Sequence, residues 1–155
     1  MTKEQKQLLM KDLCGRLPYG VNVLYVKEEI IGVLSAINIY LGNNAEGKQE
    51  LMCTTIFYGE NNVPIEEFKP YLYPLSSMTN EQMEKIEEIL IGHNPYMVFD
   101  FMTYGDIVFH QANVSVKAFA ELMQFFDKEM LDYRGLIEQG LAIDATELGI
   151  YDKEE

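Results

Sequence analysis

Val21-Asn22-Val23-Leu24-Tyr25-Val26, then Lys27-Glu28-Glu29, then Ile30 to Leu41 is the stretch whose reading decides the fold. Before the charged tripeptide every residue except Asn22 is β-branched, aromatic or aliphatic, the composition of a strand. After it, Ile37, Ile39 and Leu41 alternate with Asn38 and Tyr40, the period of a half-buried strand. Lys27-Glu28-Glu29 supplies the turn between them. Downstream, Gly42-Asn43-Asn44-Ala45-Glu46-Gly47 reads as a loop by composition, and Leu51 to Tyr58 reads as a third strand ending at Gly59-Glu60-Asn61-Asn62. Three strands with short polar links predict an antiparallel meander over residues 21–58.

Helical periodicity flanks the meander. Thr2 is placed to cap a helix over 3–17, in which Leu9, Leu13 and Leu17 recur at i+4, Met10 and Cys14 widen the stripe, and Lys3, Lys6, Lys11 and Asp12 face outward. Gly15 and Pro18 bound its end. Thr79 followed by Gln82 matches a capping box, and Met83, Ile86 and Leu90 behind it form a stripe opposite Glu84, Glu87 and Glu88, which predicts a helix over 79–91 stopped by Gly92 and Pro95. Ser115 opens a third helix, 115–131, with Phe119, Leu122, Met123, Phe126 and Met130 at spacings of three and four and Gly135 near its close.

Between these elements Pro64, Pro70 and Pro74 predict a turn at Ile65 to Lys69 and an extended Tyr71-Leu72-Tyr73 segment. Tyr96 to Phe101 and Ile107 to His110 read as a hairpin across Thr103-Tyr104-Gly105-Asp106. Leu141 to Thr146 reads as a short strand or coil. The expectation is therefore one globular α+β domain over 1–155: a small, mostly antiparallel sheet of three to five strands, extended by 96–110, packed against about three helices.

Composition narrows the function classes. Of 155 residues, 12 are Lys or Arg and 25 are Asp or Glu, a formal charge of −13, which speaks against direct grip on nucleic acid and against anionic membrane surfaces, since both need clustered cations. The charge is lopsided: −1 over residues 1–60 and −12 over 61–155. The polar start of the chain lacks the apolar centre of a secretory signal, and Ile30 to Leu41 is too short to span a bilayer, so a cytoplasmic location is expected. Cys14 and Cys53, far apart and without a C-x-x-C partner, fit reduced, partly buried thiols.

No motif fixes a reaction. Cys14 or Cys53 with His93 or His110 would suit a cysteine hydrolase, but nothing flanks them as nucleophile motifs require, and their separations of 39, 40 and 17 residues lack the close pairs of a zinc site. Glu87-Glu88, Asp127, Glu129 and Asp132 share no narrow helical face and read as solvated. Gly20, Gly32 and Gly42 build no phosphate loop. No catalytic residue, metal or cofactor is assigned. The candidates for contact with a ligand or partner are Tyr71 and Tyr73, on a proline-stiffened strip, and Asp132, Tyr133 and Arg134. Arg134 and Arg16 are the only arginines; each is suited to clamp a carboxylate or phosphate, or to pair with an internal carboxylate and cap a helix end.

Three blocks, Lys11 to Val21, Ile65 to Thr79 and Asp132 to Ile137, resemble a family of uncharacterised proteins from gut Bacteroidetes, often met in phage or prophage gene neighbourhoods. The blocks make up about a fifth of the chain and keep the family's order. The resemblance implies no activity. Members often carry a His-His pair just before the Asp-Tyr-Arg-Gly block; Glu129-Met130 stands there in this chain, a departure that speaks against imidazole-based or metal chemistry in this member.

These readings point to a non-catalytic cytosolic accessory protein of phage or mobile-element type, acting by binding a protein, with its acidic part complementary to a basic partner. Two rival expectations are a small enzyme or ligand-binding protein with a cleft near Asp132 and Arg134, and a phage structural subunit built as a symmetric oligomer.

Overall fold

The computed structural model describes residues 1–43, 47, 49–57, 60–93, 98–101, 107–110 and 115–151. The chain opens with α1 (Lys3–Arg16), which Thr2 and Gln5 cap reciprocally: Gln5 N–H donates to Thr2 Oγ1 at 3.2 Å and Thr2 N–H to Gln5 Oε1 at 2.9 Å. Its inward face is Leu9, Asp12, Leu13 and Arg16, the i, i+3, i+4, i+7 positions of one stripe. This corrects two expectations: Asp12 faces inward, and Cys14 lies exposed. A turn of 3₁₀ helix, Leu17–Tyr19, and Gly20 at φ 75° end the helix and send the chain into the first strand.

The meander divides into two sheets. Strands β1 (Asn22–Tyr25) and β2 (Ile30–Val33) form the predicted hairpin, but the run 30–41 breaks at Leu34-Ser35, where Leu34 is buried and donates its N–H to Val21 O at 3.0 Å. Past this kink β3 (Ala36–Asn43), β4 (Gln49–Phe57) and β5 (Glu60–Pro64) make a separate antiparallel sheet in that order. Burying Leu34 in the core redirects the chain, which periodicity alone does not register. Tyr25 and Phe68 stack at 5.2 Å between centroids and Phe57 meets both edge-on, joining the two sheets through one aromatic cluster.

The proline-rich stretch supplies a central strand where only a short extended segment is expected. After a 3₁₀ turn at Ile65–Glu67, β6 (Phe68–Leu72) lies between β1 and the two-residue β9 (Ile143–Asp144), giving the order β2-β1-β6-β9, parallel only at its last pair. Val26 N–H donates to Glu67 O at 2.9 Å, so alternation turns Lys69 toward β1 and the nitrogen of Pro70 to the other side. There β9 begins only opposite Tyr71, so no ladder bond is lost. One step along, the Tyr151 hydroxyl accepts from Asn22 N–H at 3.1 Å and donates to Tyr71 O at 2.8 Å, continuing the β1–β6 ladder.

Helices α2 (Asn80–His93) and α3 (Val116–Lys128) pack on each other through Ile86, Leu90, Leu122 and Phe126, while the larger core gathers Leu9, Leu13, Val23, Phe68, Leu72 and Leu136. The Thr79–Gln82 capping box and the Ser115 cap are both present. Phe119, assigned to the stripe, is 56% exposed instead. Helix α3 ends at Lys128, well before Gly135, and the chain reverses at Met130 (φ 55°): Leu131 N–H donates to Phe126 O and Met130 N–H to Asp127 O, the Schellman pattern with methionine in the left-handed position. Strands β7 (Val98–Phe101) and β8 (Ile107–His110) pair antiparallel as a separate two-stranded sheet among the described residues; the turn expected at 103–106 and the 44–46 part of the earlier loop lie outside them. Among the described residues no helix is long and apolar enough to cross a membrane.

Replacing Tyr151 by Phe leaves Asn22 N–H and Tyr71 O without their shared partner. We expect it to lower stability by about 1–3 kcal/mol in denaturant unfolding without altering far-UV circular dichroism.

Candidate functional site

The two arginines meet at the junction of α1, α3 and the turn that follows α3. Arg16 grips Asp12 one helical turn before it in a two-point bond, Nε to Oδ2 at 2.8 Å and Nη2 to Oδ1 at 2.9 Å, with both side chains fully buried. Its remaining donors close the C-terminal end of α3: Nη1 donates to Phe126 O at 3.2 Å and Nη2 to Leu131 O at 2.8 Å. One guanidinium therefore ties the end of one helix to the end of another, at chain separations above a hundred residues.

Arg134 completes the cluster from the outside. Its Nη1 donates to Asp12 Oδ1 at 2.9 Å and to Asp127 Oδ1 at 3.3 Å, and its guanidinium lies over the Tyr133 ring at 4.3 Å from the centroid. Tyr133 also donates to Asp127 Oδ1 at 3.1 Å and stands 5.7 Å from the Arg16 guanidinium. Two cations and two carboxylates thus neutralise each other under one aromatic ring. Although desolvation pulls the Arg134 guanidinium down, the hydrogen bond to Asp12 and the surrounding negative groups leave it above its ordinary value. Burial pushes the Tyr133 hydroxyl up to about 12; the Arg134 charge opposes this, and the Asp127 charge and hydrogen bond reinforce it.

The Asp-Tyr-Arg-Gly block has a local logic. The buried Asp132 carboxylate accepts Leu136 N–H at 2.9 Å and Ile137 N–H at 2.8 Å, folding the chain back over itself, and Gly135 at φ 68° permits the turn. Asp132 N–H donates to Tyr73 O and Tyr73 N–H to Met130 O, both at 2.8 Å, which docks the turn on the strip after β6. Tyr133 and Arg134 are thereby held over the cluster. Residues 11–21, 65–79 and 132–137 all contribute side chains or backbone groups to this junction.

The candidates drawn from sequence therefore occupy different positions. Asp132 and Arg134 come together in one turn but have internal partners, and Tyr133 lies half-buried between the arginines. Tyr71 is buried, 5% exposed, with burial raising its hydroxyl's pKa, so the rigid aromatic strip is no open contact surface. Tyr73 is half-buried against Tyr151 at 5.8 Å. Asp127 and Asp132, read as solvated, are buried and bonded. Asp12 and Asp127 are the members that sequence reading missed. The signal for Asp12 was present in its i, i+4 relation to Arg16 on the apolar stripe; Asp127 carried none, because its partners come from other elements.

Gly15 shows how closely the helices approach: a methyl group there would fall 2.5 Å from Asp127 Oδ2. Cys14 is exposed beside it, its thiol pushed up by what desolvation it has, the opposite of an activated nucleophile. The Cys53, His93 and His110 side chains lie outside the described set. Among the described residues no group of three or more His, Cys, Asp and Glu is placed to hold a metal ion. Three surface clefts among the described residues, including one of about 530 Å³ between α2 and α3, are lined by none of the cluster's residues. Comparison with protein-family models, curated proteins and solved structures finds no match to this chain.

Removing Arg16 leaves the buried Asp12 carboxylate with Arg134 alone and takes one donor from each of the Phe126 and Leu131 carbonyls. Arg16→Met is expected to cost about 3–5 kcal/mol in urea unfolding, and Arg134→Met less, because Arg134 is partly solvated. Gly15→Ala, stabilising by up to about 1 kcal/mol in an ordinary helix, should destabilise here through Asp127. The tyrosine adds a pH dependence: folded Tyr133 keeps its proton above the unfolded value of about 10, so its contribution is whole below that pH and is lost as pH rises through about 12. The urea midpoint should fall between about pH 10 and about pH 12, less steeply in Tyr133→Phe.

Proposed function

We propose that this is a non-catalytic cytosolic accessory protein of phage or mobile-element type, which acts by binding another protein whose basic surface meets its acidic face. One observation carries this reading: Glu81, Glu84, Glu87 and Glu88 all lie exposed along α2. Among the described residues Lys85 pairs with Glu88, at 2.6 Å on the surface. Glu81, Glu84 and Glu88 line the cleft toward α3 with Glu129, which accepts from Gln82 Nε2 at 3.1 Å. Since the buried arginine cluster is neutral within itself, the excess negative charge lies outside it. Solubility alone favours net charge, but it does not require the charge to gather in one part of the chain, and the −12 of residues 61–155 against −1 of 1–60 supports recognition. Direct contact with nucleic acid has no place in this reading.

A ligand cleft at Asp132 and Arg134 draws less support, because an incoming carboxylate would have to displace Asp12 or Asp127 from the guanidinium.

Affinity capture from the native host lysate at about 0.1 M and about 1 M salt, where the screening length falls from about 10 to about 3 Å, tests the proposal. A basic protein recovered at the lower salt should be lost at the higher. The triple variant Glu84→Gln, Glu87→Gln, Glu88→Gln should recover several-fold less of it. Capture indifferent to salt and to the triple variant overturns the reading.

A further inference from the structure

We infer that β2 is the self-association edge of this protein, pairing antiparallel with β2 of a second copy. Leu34 N–H bonds Val21 O, and the β1–β2 register sets Gly32 against Val23 and Ile30 against Tyr25, so the backbone groups of Ile30 and Gly32 face β1. Those of Ile31 and Val33 face away, and among the described residues no strand lies on that side. Ile30, Ile31 and Val33 are 38%, 44% and 51% exposed. Edge strands of monomers are commonly guarded by charge, proline or a bulge. This one has no such guard: no charged side chain or proline occurs from Ile30 to Asn44.

Charge selects the occupant. Two copies, each at −13, repel except where their own charge is absent, and residues 1–60 are nearly neutral whereas 61–155 carry −12. A basic strand from another protein gains nothing at an uncharged edge. The strand is also self-complementary. With a two-fold axis at Gly32, Ile31 of each copy faces Val33 of the other, and each such pair can exchange both its N–H···O bonds. Gly32 then faces itself in the close position, about 4.5 Å between Cα atoms, where the missing side chain leaves room. Ile31 and Val33 become β-branched cross-strand neighbours, and Glu29 falls opposite Ser35 rather than another charge. The result is one sheet continuous across two copies. A strand this short buries less than the roughly 1,200 Å² of a standard interface, so the dimer forms with a dissociation constant of micromolar order or weaker.

Sedimentation velocity from about 1 μM to about 1 mM tests this. The apparent mass of the wild-type chain should climb from 17.9 kDa toward twice that value. The double variant Ile31→Lys, Val33→Lys, at exposed positions and with unchanged circular dichroism, should stay at 17.9 kDa. The triple glutamine variant of α2 should dimerise at least as well as wild type, which separates this edge from the acidic face. A wild-type chain at 17.9 kDa over the whole range, or a dimer that both lysines leave intact, overturns the inference.

Discussion

Arg16 is the constraint on which the rest of the structure depends. A guanidinium with no exposed surface must have its donors answered, and Asp12, Phe126 O and Leu131 O answer them at 2.8–3.2 Å. That requirement fixes where α1 crosses α3, where α3 ends and which way the chain turns at Leu131. The left-handed conformation of Met130 follows from the same point: the chain must reverse there so that Leu131 can offer its carbonyl inward while Tyr73 pairs alongside. A buried ion pair adds little net stability compared with a well-packed apolar substitute, but it defines orientation, because a two-point bond tolerates little rotation.

Arg134 and Tyr133 close the cluster on its outer side, and the Asp132 turn holds both in place. Charge in this protein is thereby divided. Inside, two arginines and two aspartates cancel under an aromatic ring; outside, the glutamates of α2 face water. The same division explains why the most chemically suggestive residues in the chain have a structural use. An arginine beside aspartates and tyrosines would suit the recognition of an anion if it stood open, but here its anions are supplied by α1 and α3.

The sheet shows a second consequence of satisfying backbone groups. Pro70 sits inside a four-stranded sheet because its nitrogen points to where β9 has not begun, and the Tyr151 hydroxyl stands in where β1 and β6 no longer bond directly. The far edge, along Ile31 and Val33, has no such device among the described residues.

Local chemistry made much of this legible in advance. Capping at Thr2, Thr79 and Ser115 depends on residues three positions apart, so the helix starts follow from sequence alone. The β1–β2 hairpin and the α+β class likewise follow from periodicity and a charged turn. Tertiary structure decided the rest. The break at Leu34 reflects burial in a core that the local pattern does not contain. The promotion of Phe68–Leu72 to a central strand required β1 on one side and the tail on the other. Above all, Asp127 looked like a solvated helical aspartate until Gly15 of α1 and the Tyr133-Arg134 turn converged on it. A charge is buried or exposed according to what folds over it, and the approach of Gly15 to Asp127 across more than a hundred residues leaves no trace in a window of eighteen.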